Sequence, residues 1–205
     1  MATFETIMES LGVFPIFPDA RYDPSEAELS AFENDIGGTL PADYREFLTR
    51  FGGTGLRTSP RFRIKEPTPL AHTASLSEFY GFSRRAGQSI VALTMETYAG
   101  RIPDPTIPIG GDAQGNLVLL GFTGPFVGRV YFWDHEFRAF GGDLAARARE
   151  LERRGVDTTH ASAETIARDA IAEERAKPVG FENVYAVAPT FTAFLTSLEP
   201  DPRYR

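Results

Sequence analysis

Asp134, His135 and Glu136 stand in a row, the one place in the chain where a histidine has a carboxylate on each side. Metal binding or general acid–base chemistry would need such groups to converge on one point. On a strand they diverge: Asp134 and Glu136 project opposite to His135, so the three cannot close on one ion. A polar strand end running into a loop is the expectation. His72 and His160 stand far off, and no HxH or HExxH spacing occurs. The chain has no cysteine, which excludes thiol nucleophiles, thiolate zinc sites and disulfides together. No metal and no cofactor is expected.

The stretch GGDAQG at 110–115 is glycine-rich enough to suggest a phosphate loop. A dinucleotide fingerprint, however, must leave a strand and open a helix. Here the next residues, NLVLLGF, read as a second strand, so the stretch is a turn with Asp112, Gly115 and Asn116 as turn formers. Neither GxxxxGK[ST] nor GxSxG is present, which removes the P-loop and the serine-hydrolase elbow. No carboxylate pair stands out for glycoside hydrolysis, although such pairs assemble only in space. Trp133 is the sole tryptophan. It reads either as an anchor for a partner or as a large core residue near a sheet edge.

The net charge of −7 is unevenly placed. Residues 1–40 hold Glu5, Glu9, Asp19, Asp23, Glu26, Glu28, Glu33 and Asp35 against the single base Arg21, so this segment carries the whole imbalance. A basic run, Arg57, Arg61, Arg63 and Lys65, follows. The overall balance speaks against nucleic-acid binding. A basic protein partner would suit the acidic end, unless these acids merely solvate an exposed helix. Glu5 and Glu9 occupy the place where a signal peptide would be basic and then apolar, and no apolar run is long enough to span a bilayer. A soluble, cytoplasmic protein is expected.

The elements that must position these residues are legible in part. Asp23-Pro24-Ser25-Glu26 starts a helix, either with Pro24 in the first turn or with Ser25 and Glu28 as a capping box. Leu29, Phe32 and Ile36 share its buried face, and Gly37-Gly38 stops it. Pro41 starts a second helix with Tyr44, Phe47, Leu48 and Phe51 on one stripe. Strands are expected at 61–64 and, more weakly, 77–82, and a helix at 89–100. Residues 106–109, 116–122 and 129–134 form an antiparallel meander joined by Gly-rich turns, its middle strand apolar on both faces and therefore central. Helices follow at 143–154, from Ser162 to Pro178, and at 190–198. With 42% apolar and 12% aromatic residues a chain of this length builds a core without staples.

SEAELSAFENDIGGTLPADYREFLTRFGG resembles the opening helix pair of SUKH-superfamily domains. IPIGGDAQGNLVLL with GRVYFWDHE resembles the family's central hairpin and following strand, and PTFTAFLTSL its closing helix. The resemblance implies an α+β fold: one domain over 1–205, with a mixed or mostly antiparallel sheet and helices packed against it. Its core would span 23–140 and 189–198, with 141–188 as a helical insertion. It also implies a protein-binding role without catalysis, because bacterial members are mostly immunity proteins against toxins and fungal relatives regulate cell-wall assembly. The implied partner is a cognate toxin, with no nucleic acid and no membrane, bound by a monomer or weak homodimer. Candidate partner-binding residues are Asp19, Asp23, Glu26, Glu28, Glu33, Asp35, Asp112, Gln114, Asn116 and Trp133. Two other readings stay open: a regulator that binds a peptide or small ligand, and an enzyme with a spatially assembled acidic site.

Overall fold

The computed structural model describes residues 3–65, 72–135, 144–153, 155–175 and 177–204. Its first expected helix, α2 (Glu26–Ile36), starts at the capping box rather than at Pro24. Ser25 caps the Glu28 N–H, and Glu28 Oε2 accepts from the Ser25 N–H at 2.8 Å. Gly37, with φ of 68°, supplies the left-handed residue that ends it, a conformation that costs a side-chain-bearing residue more. Helix α3 (Ala42–Phe51) follows, with Tyr44, Phe47 and Leu48 buried. Before both lie two elements the residue pattern does not announce, helix α1 (Phe4–Ser10) and strand β1 (Val13–Pro15).

Strand β2 (Thr54–Leu56) leaves α3, and β3 (Arg61–Arg63) pairs with β4 (Thr73–Ser75) in a separate hairpin. The strand expected at 77–82 shrinks to β5 (Glu78–Phe79). There Gly81 presses against α3's end: a Cβ would stand 2.3 Å from backbone atoms of Gly52 and Gly53. The helix expected at 89–100 is one short α-turn, α4 (Ile90–Ala92), that widens into a π-helix over Leu93–Thr97. Ile90 and Leu93 are buried, while Tyr98, just past the wider turn, stands edge-on to Trp133.

The meander is present as β6 (Thr106–Gly111), β7 (Leu117–Gly121) and β8 (Val130–Trp133), all antiparallel and buried throughout. After it come α5 (Leu144–Arg153), α6 (Ala163–Arg175), strand β9 (Val184–Ala188) and α7 (Phe191–Thr196). Glu136, Asp143 and Arg154 lie outside the described residues. Strand β9 falls within the stretch expected to be a helical insertion, yet it pairs with β8 in the main sheet. The alternation VYAVA, buried at four of five positions, is what a sheet strand needs.

The strand order is β1-β2-β5-β6-β7-β8-β9, with the β3–β4 hairpin as a second sheet. This is the α+β architecture expected. One face carries Phe79, Val118 and Phe132 and meets α3, α7 and the hairpin, where Phe47 lies 4.7 Å from Phe191 and Phe62 lies 5.3 Å from Phe194. The other face carries Leu117, Tyr131 and Trp133 and is covered by Tyr98 and Phe181. A middle strand apolar on both sides is the direct result.

Candidate functional site

Antiparallel pairing brings the end of β6, the start of β7, the end of β8 and the start of β9 to one end of the sheet. A cleft of about 490 Å³ opens there. Its walls include the β6–β7 turn, Asp134, Arg61 of the hairpin, and Asp201 and Arg203 near the chain's end.

The turn is held by its own aspartate. Asp112 Oδ1 accepts from the N–H groups of Gln114 and Asn116, both at 2.9 Å, and Oδ2 accepts from Asn116 Nδ2 at 2.9 Å. An aspartate that binds backbone two and four residues on closes such a turn without secondary structure. Asn116 then ties the turn to β8: its Oδ1 accepts from the His135 N–H at 3.2 Å and lies 2.9 Å from His135 Nδ1. The polar wall is therefore fixed in shape before any ligand arrives.

Asp134 is 5% exposed, and its backbone exchanges hydrogen bonds with Asn183 at 3.1 and 2.6 Å. Asp201 is 3% exposed and is gripped by Arg203, whose Nη2 stands 2.6 Å from Oδ2. The Arg203 side chain, and then its backbone N–H, hold the Asp201 carboxyl down to about 2. A general acid needs a carboxyl shifted the other way. Burial does raise Glu78, against a hydrogen bond from Gln88 at 3.2 Å, but Glu78 does not line this cleft. Among the described residues no cluster of His, Asp and Glu could hold a metal ion.

The residues singled out from sequence fall into separate places. Asp112, Gln114 and Asn116 line the cleft. Asp35 lines a cavity of about 220 Å³ with Thr106 and Phe122, at the opposite end of β6. A strand of that length separates the two by about 17 Å. Most of the acids near α2 are engaged internally: Asp23 with Arg21 at 2.7 Å, Glu26 with Arg45, Glu28 in the capping box, and Glu33 with the Leu40 N–H at 2.9 Å. Asp19 and Asp35 are exposed and form no ion pair among the described residues. Trp133 requires a correction. It is 2% exposed, paired in register with Leu117 and edge-on to Tyr98, so it is core and offers nothing to a partner in this conformation.

Arg61, Asp134, Asp201 and Arg203 were not anticipated in the cleft. They come from chain segments far apart, and the C-terminal segment reaches the cleft by pairing Glu199 with Arg61 and by the hydrogen bond from the Asp201 N–H to Thr58 O.

The model of the SMI1/KNR4 family (SUKH-1) matches residues 23–151. The chain belongs to that family. A relative in Bacillus subtilis (strain 168), the SPbeta prophage-derived uncharacterized protein YokK, is 30% identical over 150 residues, with 65% of this chain and 74% of that protein covered. No solved structure matches the chain significantly. The SUKH family includes toxin immunity proteins. Its matched span takes in α2, α3, the hairpin and the whole meander, and with them the β6–β7 turn of the cleft.

Proposed function

We propose that this protein is an immunity protein that binds a cognate bacterial toxin and neutralises it by covering the toxin's active site. Family membership over residues 23–151 carries the reading. Two features of the surface support it. The cleft offers hydrogen-bonding groups in a pre-set arrangement, which reduces the ordering cost of binding a partner. Two exposed acids flanking α2 or within it, Asp19 and Asp35, present negative charge with no ion-pair partner among the described residues. Against a nuclease toxin such carboxylates would take the place of substrate phosphates and would steer association.

On this reading the chain works as a binder, without catalysis or cofactor, in the cytoplasm where the toxin would act. Asp23, Glu26, Glu28 and Glu33 contribute to the field while serving the fold. Asp112, Gln114 and Asn116 form a second contact region.

The test is co-expression with the toxin encoded beside its gene, followed by affinity measurements at rising ionic strength. Growth should be rescued, and the complex should weaken with salt. The double variant Asp19→Asn/Asp35→Asn should bind about fivefold more weakly, within what the loss of two exposed charge pairs allows. Failure to protect cells would overturn the immunity reading. An affinity indifferent to salt would leave binding intact and sink the phosphate-mimic mechanism.

A further inference from the structure

Apart from Arg61 in the cleft wall, the basic run of residues 57–65 takes no part in the function proposed above. In the structure it becomes a patterned surface. Arg61, Arg63 and Lys65 are exposed while Phe62 and Ile64 are buried, so the three cations stand along one side of an extended segment. The strand repeat of β3 spaces Arg61 and Arg63 by about 7 Å, and Lys65 follows at a bend just past the strand. They border a groove of about 490 Å³ whose apolar lining is Phe62, Val187, Pro200 and Pro202. Glu199 also lines the groove, and on the cleft side Arg61 helps to hold the Asp201 carboxyl low.

None of the three forms an ion pair among the described residues; Arg61 Nη2 donates instead to Thr73 Oγ1 at 2.6 Å. The groove adjoins the polar cleft, and Arg61 and Thr73 line both. The C-terminal segment is the septum between them, with Pro200 and Pro202 lining the groove and Asp201 and Arg203 lining the cleft.

We propose that this groove is a docking site for an acidic peptide segment of a protein partner, with acids at alternate positions. The spacing is the reason for the alternation. An extended peptide repeats its side chains on one face every second residue, which matches the period of Arg61, Arg63 and Lys65. Recognition is through side chains, because the backbone here is already engaged: Arg61 exchanges hydrogen bonds with Glu199, and the Lys65 N–H donates to Ala186 O at 2.8 Å. Strand addition is thus blocked at these positions.

A nucleic acid suits the groove less well. Base stacking needs exposed aromatic faces, and the groove's one ring, Phe62, is 2% exposed. A polyanion longer than the groove would also meet a chain of net charge −7. The inference does not depend on the partner being a toxin, and it stands or falls separately from the immunity reading.

The test uses the full chain and a labelled peptide, acetyl-Glu-Val-Glu-Val-Glu-amide, followed by fluorescence anisotropy at low salt. Its controls are the Gln-for-Glu peptide, a block-ordered peptide of the same composition, and a single-stranded oligothymidylate. The alternating acidic peptide should bind best. The variant Arg63→Gln/Lys65→Gln should weaken it about tenfold, as the loss of two exposed charge pairs allows, with an unchanged thermal midpoint. No binding of the acidic peptide, equal binding of the Gln peptide, or an affinity untouched by the double variant would overturn the proposal. Equal affinity for the block-ordered peptide would remove the alternating register, and tighter binding of the oligonucleotide would replace the peptide with a nucleic acid.

Discussion

The meander β6–β7–β8 and the helix pair α5–α6 are adjacent in sequence and are held by different means. Every residue of the three strands is buried, and they belong to one continuous core that also takes in α1, α2, α3 and α7. The helix pair has its own small cluster, Leu151, Ala163 and Ala167, with Leu144, Ala148, Val156 and Ile166 half-buried around it. Two of its three buried members are alanines, which bring little apolar area. Arg147 is buried to 1% exposure in the same helices, and a buried charge is a weak source of stability even when paired. The family match stops at residue 151, inside α5. The contrast is between one continuous core and a helix pair with a small hydrophobic cluster of its own.

Removing Phe47 tests the first side most severely. Its ring is fully buried and meets those of Phe4, Tyr44, Phe51, Phe79 and Phe191. Phe47→Ala should cost about 3–5 kcal/mol, the usual range for a core phenylalanine, read as a lower urea midpoint for the whole chain. Leu151→Ala tests the second side. Leu151 is also fully buried, and its loss should cost about 2–3 kcal/mol locally. Hydrogen exchange should show faster amides in α5 and α6 while β6, β7 and β8 keep their protection, since separately packed units open separately. A uniform loss of protection would break the comparison and make the pair integral to the core.

The same contrast governs what was legible beforehand. Helices α2 and α3 carry stop signals and stripes within a few residues, so local chemistry suffices to place them. The meander's apolar runs and glycine turns are local too. Strand β2, Thr-Gly-Leu, and strand β1, Val-Phe-Pro, are only three residues each; they exist because their neighbours in the sheet supply the pairing. Strand β9 is hard to see in the sequence because it directly follows two helices and is only five residues long. In the cleft, Asp112 and Asn116 were visible as turn formers, while Asp201 and Arg203 arrive from the far end of the chain. Trp133 shows the converse limit: residue type alone does not distinguish an anchor from a core ring, and only burial separates them.

The smallest expected effect concerns how the chain's end is held, a level at which neither core takes part. Asp201 donates its N–H to Thr58 O at 3.0 Å, and its carboxylate is clamped by Arg203. With the carboxyl held to about 2 in the folded chain and near 3.9 when unfolded, the folded state binds fewer protons across that interval. Stability from the clamp is therefore fully present above about pH 4 and lost as pH falls through about 2. Glu78 acts in the opposite sense: burial raises its carboxyl, so its contribution weakens as pH rises through its titration. Arg203→Gln removes the first effect and leaves the second. The difference in thermal midpoint between wild type and Arg203→Gln should thus be small and steady from pH 7 to 5 and should shrink toward zero near pH 2. A difference independent of pH would show that Arg203 holds the segment by packing rather than by charge.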